Sequence, residues 1–216
     1  MIDLHTHTLF SDGVLLPSEL VYRAKFKGYR AIALTDHVDY STYDYVIPRI
    51  IKVAKILQAS YEIMVIPGVE ITYVPPKLIK DVAFECRQCG AKLIVVHGQT
   101  VAETVPEQTN MYAIEAGIDI LAHPGHITKD EVKSAKKNNV CLEITTRHGH
   151  NATNKEVAEL ALKYGAKLVL NTDTHEPENL MDQDKIQNTL LSAGLDLKYF
   201  EIMQKNSIEF INKTIV

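Results

Sequence analysis

A chain of 216 residues, 46% hydrophobic and 23% charged, has the composition of an ordinary globular protein. At that length a fold buries about 70% of its extended surface and needs no disulfide staples. A net charge of −4 with dispersed basic residues argues against a protein that grips long stretches of nucleic-acid backbone, though not against a small phosphorylated substrate.

The elements alternate along the chain. The first strand, Ile2–Thr6, runs into His5-Thr6-His7, and Ser11-Asp12-Gly13 then reads as a tight turn. Helix Pro17–Lys27 stops at Gly28, and strand Ala31–Thr35 leads to Asp36-His37. A longer helix over about Asp44–Ala59 carries Pro48 near its first turn. Strand Ile63–Ile71 contains Glu70, and helix Lys77–Cys89 ends at Gly90. Strand Leu93–His97 ends in His97-Gly98, helix Met111–Ala116 ends at Gly117, and strand Ile118–Ala122 precedes His123-Pro124-Gly125. Thr128-x-x-Glu131 and Thr153-x-x-Glu156 read as capping boxes opening the helices on either side of strand Val140–Thr145. The helix over Lys155–Tyr164 ends at Gly165, strand Leu168–Thr172 runs into Asp173-Thr174-His175, and helices Asp182–Ala193 and Leu197–Ile211 finish the chain.

Continuous apolar runs predict strands buried on both faces, and strict β-then-α order predicts a parallel sheet with right-handed crossovers. Six of nine histidines, with Glu70 and Asp173, stand at strand ends, and Asp12 lies in a loop after one. In an open sheet the edge strands would be too far apart to share one site, whereas in a closed barrel all the ends converge. A distorted (β/α)7 barrel of TIM-like form, with seven parallel strands in one domain over 1–216, is therefore expected. A lone strand-end histidine is usually structural, but this set implies a shared metal site built from imidazole and carboxylate. His5 and His7, and again Asp173 and His175, stand at i and i+2, which on a strand face the same side. Cys86, Cys89 and Cys141 are too few for a disulfide framework, and the helical Cys86-x-x-Cys89 pair reads as structural thiols. No apolar run approaches the ~20 residues of a membrane helix, and no signal-peptide pattern precedes Ile2, so a cytoplasmic location is expected.

His5-Thr6-His7-Thr8-x-x-Ser11-Asp12-Gly13, Thr35-Asp36-His37, Gly68-Val69-Glu70, His97-Gly98, Ala122-His123-Pro124-Gly125 and Thr172-Asp173-Thr174-His175, in this order, resemble the polymerase and histidinol phosphatase (PHP) family. The resemblance runs from residue 2 to at least residue 177 and implies that family's distorted seven-stranded barrel. It also implies nine ligands for three divalent metal ions. His5, His7, Glu70 and Asp173 would hold the first; Glu70, bridging, with His97 and His123 the second; Asp12, His37 and His175 the third. Family members often carry histidine or glutamate at the position of Asp12. Such a donor set suits zinc, manganese or iron.

The implied chemistry is phosphoester hydrolysis by attack of a metal-bridging hydroxide, with Glu70 and Asp173 at its centre. The substrate expected is a small phosphomonoester of the histidinol phosphate type. Arg147, in the loop after strand six, offers a planar fork for a phosphate or pairs with a helix carboxylate. His148 and, behind it, His150 are candidates for substrate contact or for plain exposure. Glu143 faces inward or outward, His126 is placed near the site in sequence, and Gln99 and Thr100 follow His97. Tyr40, Tyr43 and Tyr45 form either a lid or ordinary packing. The alternatives are a nuclease or phosphodiesterase acting on nucleotides or DNA ends, a non-catalytic metal- or phosphate-binding module, and, more weakly, an amidohydrolase. The general acid, pathway and oligomeric state are not legible.

Overall fold

Each apolar run becomes a strand buried along most of its length, and the amphipathic stretches between them form helices. The structure, a computed structural model, describes residues 1–215, so Val216 lies outside the described residues. The parallel strands are β1 Ile2–Asp3, β2 Ala31–Leu34, β3 His37–Val38, β4 Met64–Ile71, β5 Leu93–His97, β6 Ile120–Ala122, β7 Cys141–Thr145 and β8 Leu168–Asn171. Their order is β1-β2-β4-β5-β6-β7-β8, with β3 also on β4. Leu34 faces Pro67 and His37 faces Glu70, so β2 and β3 keep one register and form a single strand path interrupted at residues 35–36. The expected seven strand paths are present. The interruption has a local cause: Thr35 N–H donates to Thr6 O at 2.9 Å and Thr6 N–H to Thr35 Oγ1 at 3.0 Å, which turns the chain towards β1.

The helices are α1 Pro17–Phe26, α2 Tyr43–Tyr61, α3 Ile79–Gln88, α4 Thr109–Glu115, α5 Lys129–Asn138, α6 Asn154–Tyr164, α7 Gln183–Ser192 and α8 Lys198–Ile215. Thr128 and Glu131 form the expected capping box on α5. The box expected at Thr153 is absent, because residues 150–153 form a 3-10 turn that leaves Thr153 outside the extended capping conformation. Asn154 instead clasps the end of β7, accepting from Thr145 N–H at 3.2 Å and donating to Thr145 O at 2.8 Å. Because α2 starts at Tyr43, Pro48 falls in its second turn. Tyr43 packs on the core, while Tyr45 is exposed and carries Arg49 over its ring. None of the three cysteines is in a disulfide among the described residues, and Cys86 is buried.

The barrel is nearly closed. At the upper seam Thr6 bridges Thr174, and His7 N–H donates to Thr174 O at 2.8 Å. Lower down, side chains replace the missing β1–β8 ladder. Asn171 Oδ1 accepts from Leu4 N–H at 3.0 Å, and Asp3 accepts from Thr172 N–H at 3.2 Å and from its hydroxyl at 2.6 Å. At the bottom, Gln204 of α8 pairs with both backbone groups of Ile2, and Asn206 donates to Leu168 O. Alternate strand residues, among them Leu4, Ala33, Ile66, Leu93, Val95, Ile120 and Val169, fill the interior together with Ile211 of α8. Each fully buried aliphatic side chain there contributes roughly 1.5–3 kcal/mol. A larger apolar layer lies between the strands and the helices. No helix among the described residues is long and apolar enough to cross a membrane.

Candidate metal centre

Along several strands the interior changes from apolar to ionisable towards the C-terminal end. On β5, Leu93 and Val95 precede His97; on β8, Val169 precedes Asn171 and then Asp173; on β7, Cys141 precedes Glu143. His5, His7, Glu70, His97, His123, Asp173 and His175 are all buried. His37 is half-buried and Asp12 is exposed at the rim. The turns that deliver two of these side chains are tightly built. A Cβ on Gly98 would lie 2.3 Å from Ala122 O, and one on Gly125 would lie 1.9 Å from Gln99 O, so glycine alone lets the loops after His97 and His123 cross. His123 and Asp173 have φ of 28° and 53°, in the left-handed region, a strain that the surrounding packing enforces.

Four donors converge at the centre. His5 Nε2 lies 3.1 Å from His7 Nε2, 3.3 Å from Glu70 Oε2 and 3.7 Å from Asp173 Oδ1. His7 Nε2 lies 3.4 Å from Glu70 Oε2 and 3.1 Å from Asp173 Oδ1. A tetrahedron with ligands about 2.0–2.1 Å from its centre has edges of roughly 3.4 Å, so this spacing fits one small cation. Glu70 is fully buried and its Oε2 is approached only by imidazole nitrogens, His37 Nδ1 at 2.9 Å beside those of His5 and His7, with no backbone or hydroxyl donor on either oxygen. A buried carboxylate left this way is costly unless a cation faces it. The residues present therefore fit a metal.

Two further groups flank this one. Asp12 Oδ1 lies 3.0 Å from His175 Nε2, 3.5 Å from His37 Nε2 and 3.8 Å from His7 Nδ1. On the other side His123 Nε2 lies 3.6 Å from Glu70 Oε1 and 3.8 Å from Asp173 Oδ2, and His97, His123 and His150 gather into a set able to hold an ion. Several outer ring nitrogens have protein partners. His5 Nδ1 meets Glu143 Oε2 at 2.8 Å and His97 Nδ1 meets Gly98 O at 3.1 Å, while His175 Nδ1 lies 2.9 Å from Asp173 O and 2.8 Å from Arg147 Nη1, and His123 Nδ1 is buried without a partner. At His5 and His97 such contacts favour the tautomer that leaves Nε2 as an inward lone pair. Asn171 Nδ2 in turn donates to Glu143 Oε2 at 2.9 Å.

The electrostatics are those of a crowded, dry site. Burial would lower the pKa of His5, but Glu70, Glu143 and Asp173 outweigh it and hold it well above the imidazole range. His37, also opposed by burial, is raised to about 10, mainly by Glu70. Burial and then the charge of His37 push His7 well below its ordinary value; burial and His97 do the same to His123. Burial raises Asp173 to about 6. It also opposes the ionisation of Glu70 and Asp12, yet the neighbouring histidines hold both carboxylates well below the usual range. A mixture of forced-neutral and forced-charged imidazoles around shared carboxylates is what a cationic centre would relieve.

All nine proposed ligand positions thus meet at one barrel end. Arg147 joins them: Nη1 donates to Asp173 O at 3.2 Å and Nε lies 3.5 Å from Asp173 Oδ2. Arg147 also lines a polar cavity of about 700 Å³, with Thr146, His148, Asn151 and Lys185 on its walls. His148 is exposed on that wall, whereas His150 is buried within the histidine cluster. Glu143, whose direction the sequence left open, points inward. Gln99 exchanges hydrogen bonds with Asn110, and His126 pairs with Glu156 on the outer surface, so neither joins the centre. Sequence reasoning missed Asn171 and Glu103. Asn171, a polar residue ending an apolar strand, carried a signal; Glu103, in an aperiodic loop, carried none.

The PHP domain family model matches residues 3–205. An uncharacterized protein of Methanocaldococcus jannaschii, MJ1295, is 48% identical over 201 residues, 92% of each chain. The DNA polymerase/3'-5' exonuclease PolX of Bacillus subtilis is 29% identical over 83% of this chain, which spans only 35% of that protein. A "probable phosphatase" of Clostridium novyi is 26% identical over 90% of this chain and 87% of its own. Among solved structures, a chain in the cryo-EM structure of archaeal ribonuclease P with mature tRNA superposes with a TM-score of 0.76 at 17% identity, covering 99% of this chain and 91% of that one. The "putative histidinol phosphatase" hisK of Listeria monocytogenes superposes at 0.62 and 14% identity, over 85% and 98%. With nearly its whole length matched and the metal-fitting centre in place, the chain belongs to the PHP domain family and is a metal-dependent phosphoesterase.

Proposed function

We propose that the protein hydrolyses a small phosphomonoester, of the histidinol phosphate type, at a centre of three divalent ions (zinc, manganese or iron). His5, His7, Glu70 and Asp173 hold the first, Glu70, His97 and His123 the second, and Asp12, His37 and His175 the third. The observation that carries this reading is the convergence of His5 Nε2, His7 Nε2, Glu70 Oε2 and Asp173 Oδ1 at tetrahedral spacing in a fully buried site.

Bound divalent cations supply Lewis acidity, bringing the pKa of water towards neutrality and offsetting phosphate charge. The protein supplies position. Glu143 holds His5, Asp173 O and Oδ2 hold Arg147, and the Arg147 guanidinium presents its free edge to the cavity, where it binds non-bridging phosphate oxygens. His148 contacts the substrate from the same wall. A cavity of about 700 Å³ with polar walls suits a small hydrophilic substrate.

A second reading, a nuclease acting on nucleotides or DNA ends, is favoured by the match to PolX. One panel separates the two: metal-reconstituted protein is assayed for release of inorganic phosphate from monoesters and for cleavage of diesters and DNA ends. Turnover of small monoesters at least tenfold above diesters supports the phosphatase. Preference for diesters or polynucleotide ends overturns it in favour of the nuclease.

A further inference from the structure

Beside the nine ligand positions proposed above, His150 and Glu103 bring further imidazole and carboxylate donors up to His97 and His123. His150 follows β7 on a 3-10 turn and is only 7% exposed. Its ring centroid stands 4.3 Å from that of His123 and 5.9 Å from that of His97, and the three side chains present ligand atoms within 4.8 Å of one another. His150 Nδ1 is buried without a hydrogen-bond partner. Glu103, from the loop between β5 and α4, reaches both rings: Oε2 lies 3.5 Å from His97 Nε2 and Oε1 lies 3.4 Å from His150 Nε2. Tyr73 OH donates to Glu103 Oε2 at 3.2 Å and steadies it.

The two Glu103 contacts are close to the roughly 3.4 Å spacing of donors around a small cation, and the three imidazoles are near enough to share one. Three imidazoles and a carboxylate form a donor set suited to zinc and similar ions.

We propose that His150 is a tenth protein ligand, joining His97, His123 and Glu70 at the second position to give it three imidazoles for a divalent transition-metal ion, with Glu103 as a further carboxylate donor. This rests on the metal-dependent reading above but adds to it a donor set of its own. It makes the second position the most nitrogen-rich of the three and the one most selective for zinc over manganese.

The test reads metal directly. Metal-free wild type, His150→Gln, Glu103→Gln and His126→Gln are titrated with cobalt(II), followed by the visible d–d bands and by metal content after gel filtration. Circular dichroism of each metal-free variant checks folding. The expected result is loss of one equivalent, or at least a tenfold weakening of one equivalent, in His150→Gln, with a change in the tetrahedral cobalt bands. Glu103→Gln should show a smaller weakening of the same equivalent, and His126→Gln should match wild type. A folded His150→Gln with wild-type stoichiometry, affinity and spectrum overturns the inference alone; wild type that binds no ion overturns both it and the metal-centre reading. Should His150→Gln fail to fold, an anomalous-scattering crystal structure of zinc-loaded wild type decides. A zinc ion about 2.0–2.1 Å from a His150 ring nitrogen supports the inference, and one beyond bonding distance overturns it.

Discussion

The two ends of this barrel are built from the same strands and do opposite work. At the bottom, Leu4, Ile66, Leu93 and Val169 pack against Ile211 of α8, and Gln204 and Asn206 of that helix satisfy the backbone where β1 and β8 do not pair. At the top the same strands turn to histidine and carboxylate, with two left-handed residues and a fully buried glutamate ringed by imidazoles. The bottom holds the fold together; the top is held in an unfavourable arrangement by it. Substitutions at the two ends should therefore separate stability from activity.

The largest effect should come from Asp173→Asn, which removes the carboxylate and keeps a side chain that tolerates the φ of 53° there. That carboxylate is shared by the central histidines and anchors Arg147, so kcat/KM should fall by on the order of 10³, as when a preorganised electrostatic element is lost. Because burial raises the pKa of Asp173 in the metal-free protein, the thermal stability of the metal-free variant should hold or rise. A large drop in that stability would break the division between the ends. Leu93→Ala should do the reverse, costing about 2–5 kcal/mol in denaturant unfolding while kcat per folded molecule stays near wild type. Glu143→Gln sharpens the boundary, since Glu143 sits between the two layers and orients His5. Its expected signature is a metal affinity lowered about 10–100-fold, read by competition with a chromophoric chelator, with little change in unfolding of the metal-free protein.

How much of this could be read in the sequence follows the same division. The strands were legible because burial on both faces leaves continuous apolar runs. The candidate ligands were legible because a histidine or carboxylate closing such a run is costly to bury unless a cation or a hydrogen bond meets it. The direction of Glu143 was not legible, since it depends on the register of β7 against β8, where Glu143 faces Val169 and Thr145 faces Asn171. The break between β2 and β3 was hidden for a similar reason: Thr35 turns towards β1 through bonds to Thr6, a partner 29 residues away. Thr153 misled because a capping pattern in sequence carries no information on the 3-10 turn that precedes α6. Arg147 was singled out for a phosphate or a helix carboxylate, and its contact with Asp173, between loops 26 residues apart, was not legible. His148 and His150 lie two residues apart with like chemistry, and only the fold sets one on the cavity wall and buries the other among His97 and His123.

The most direct test of the central claim is to count metal per chain and measure phosphate release on the same samples, as purified without chelator, after stripping, and after return of manganese, zinc or iron. The account predicts about three ions per chain, no release when stripped, and release that returns with bound metal. Full phosphate release by stripped protein that holds no ion would contradict it.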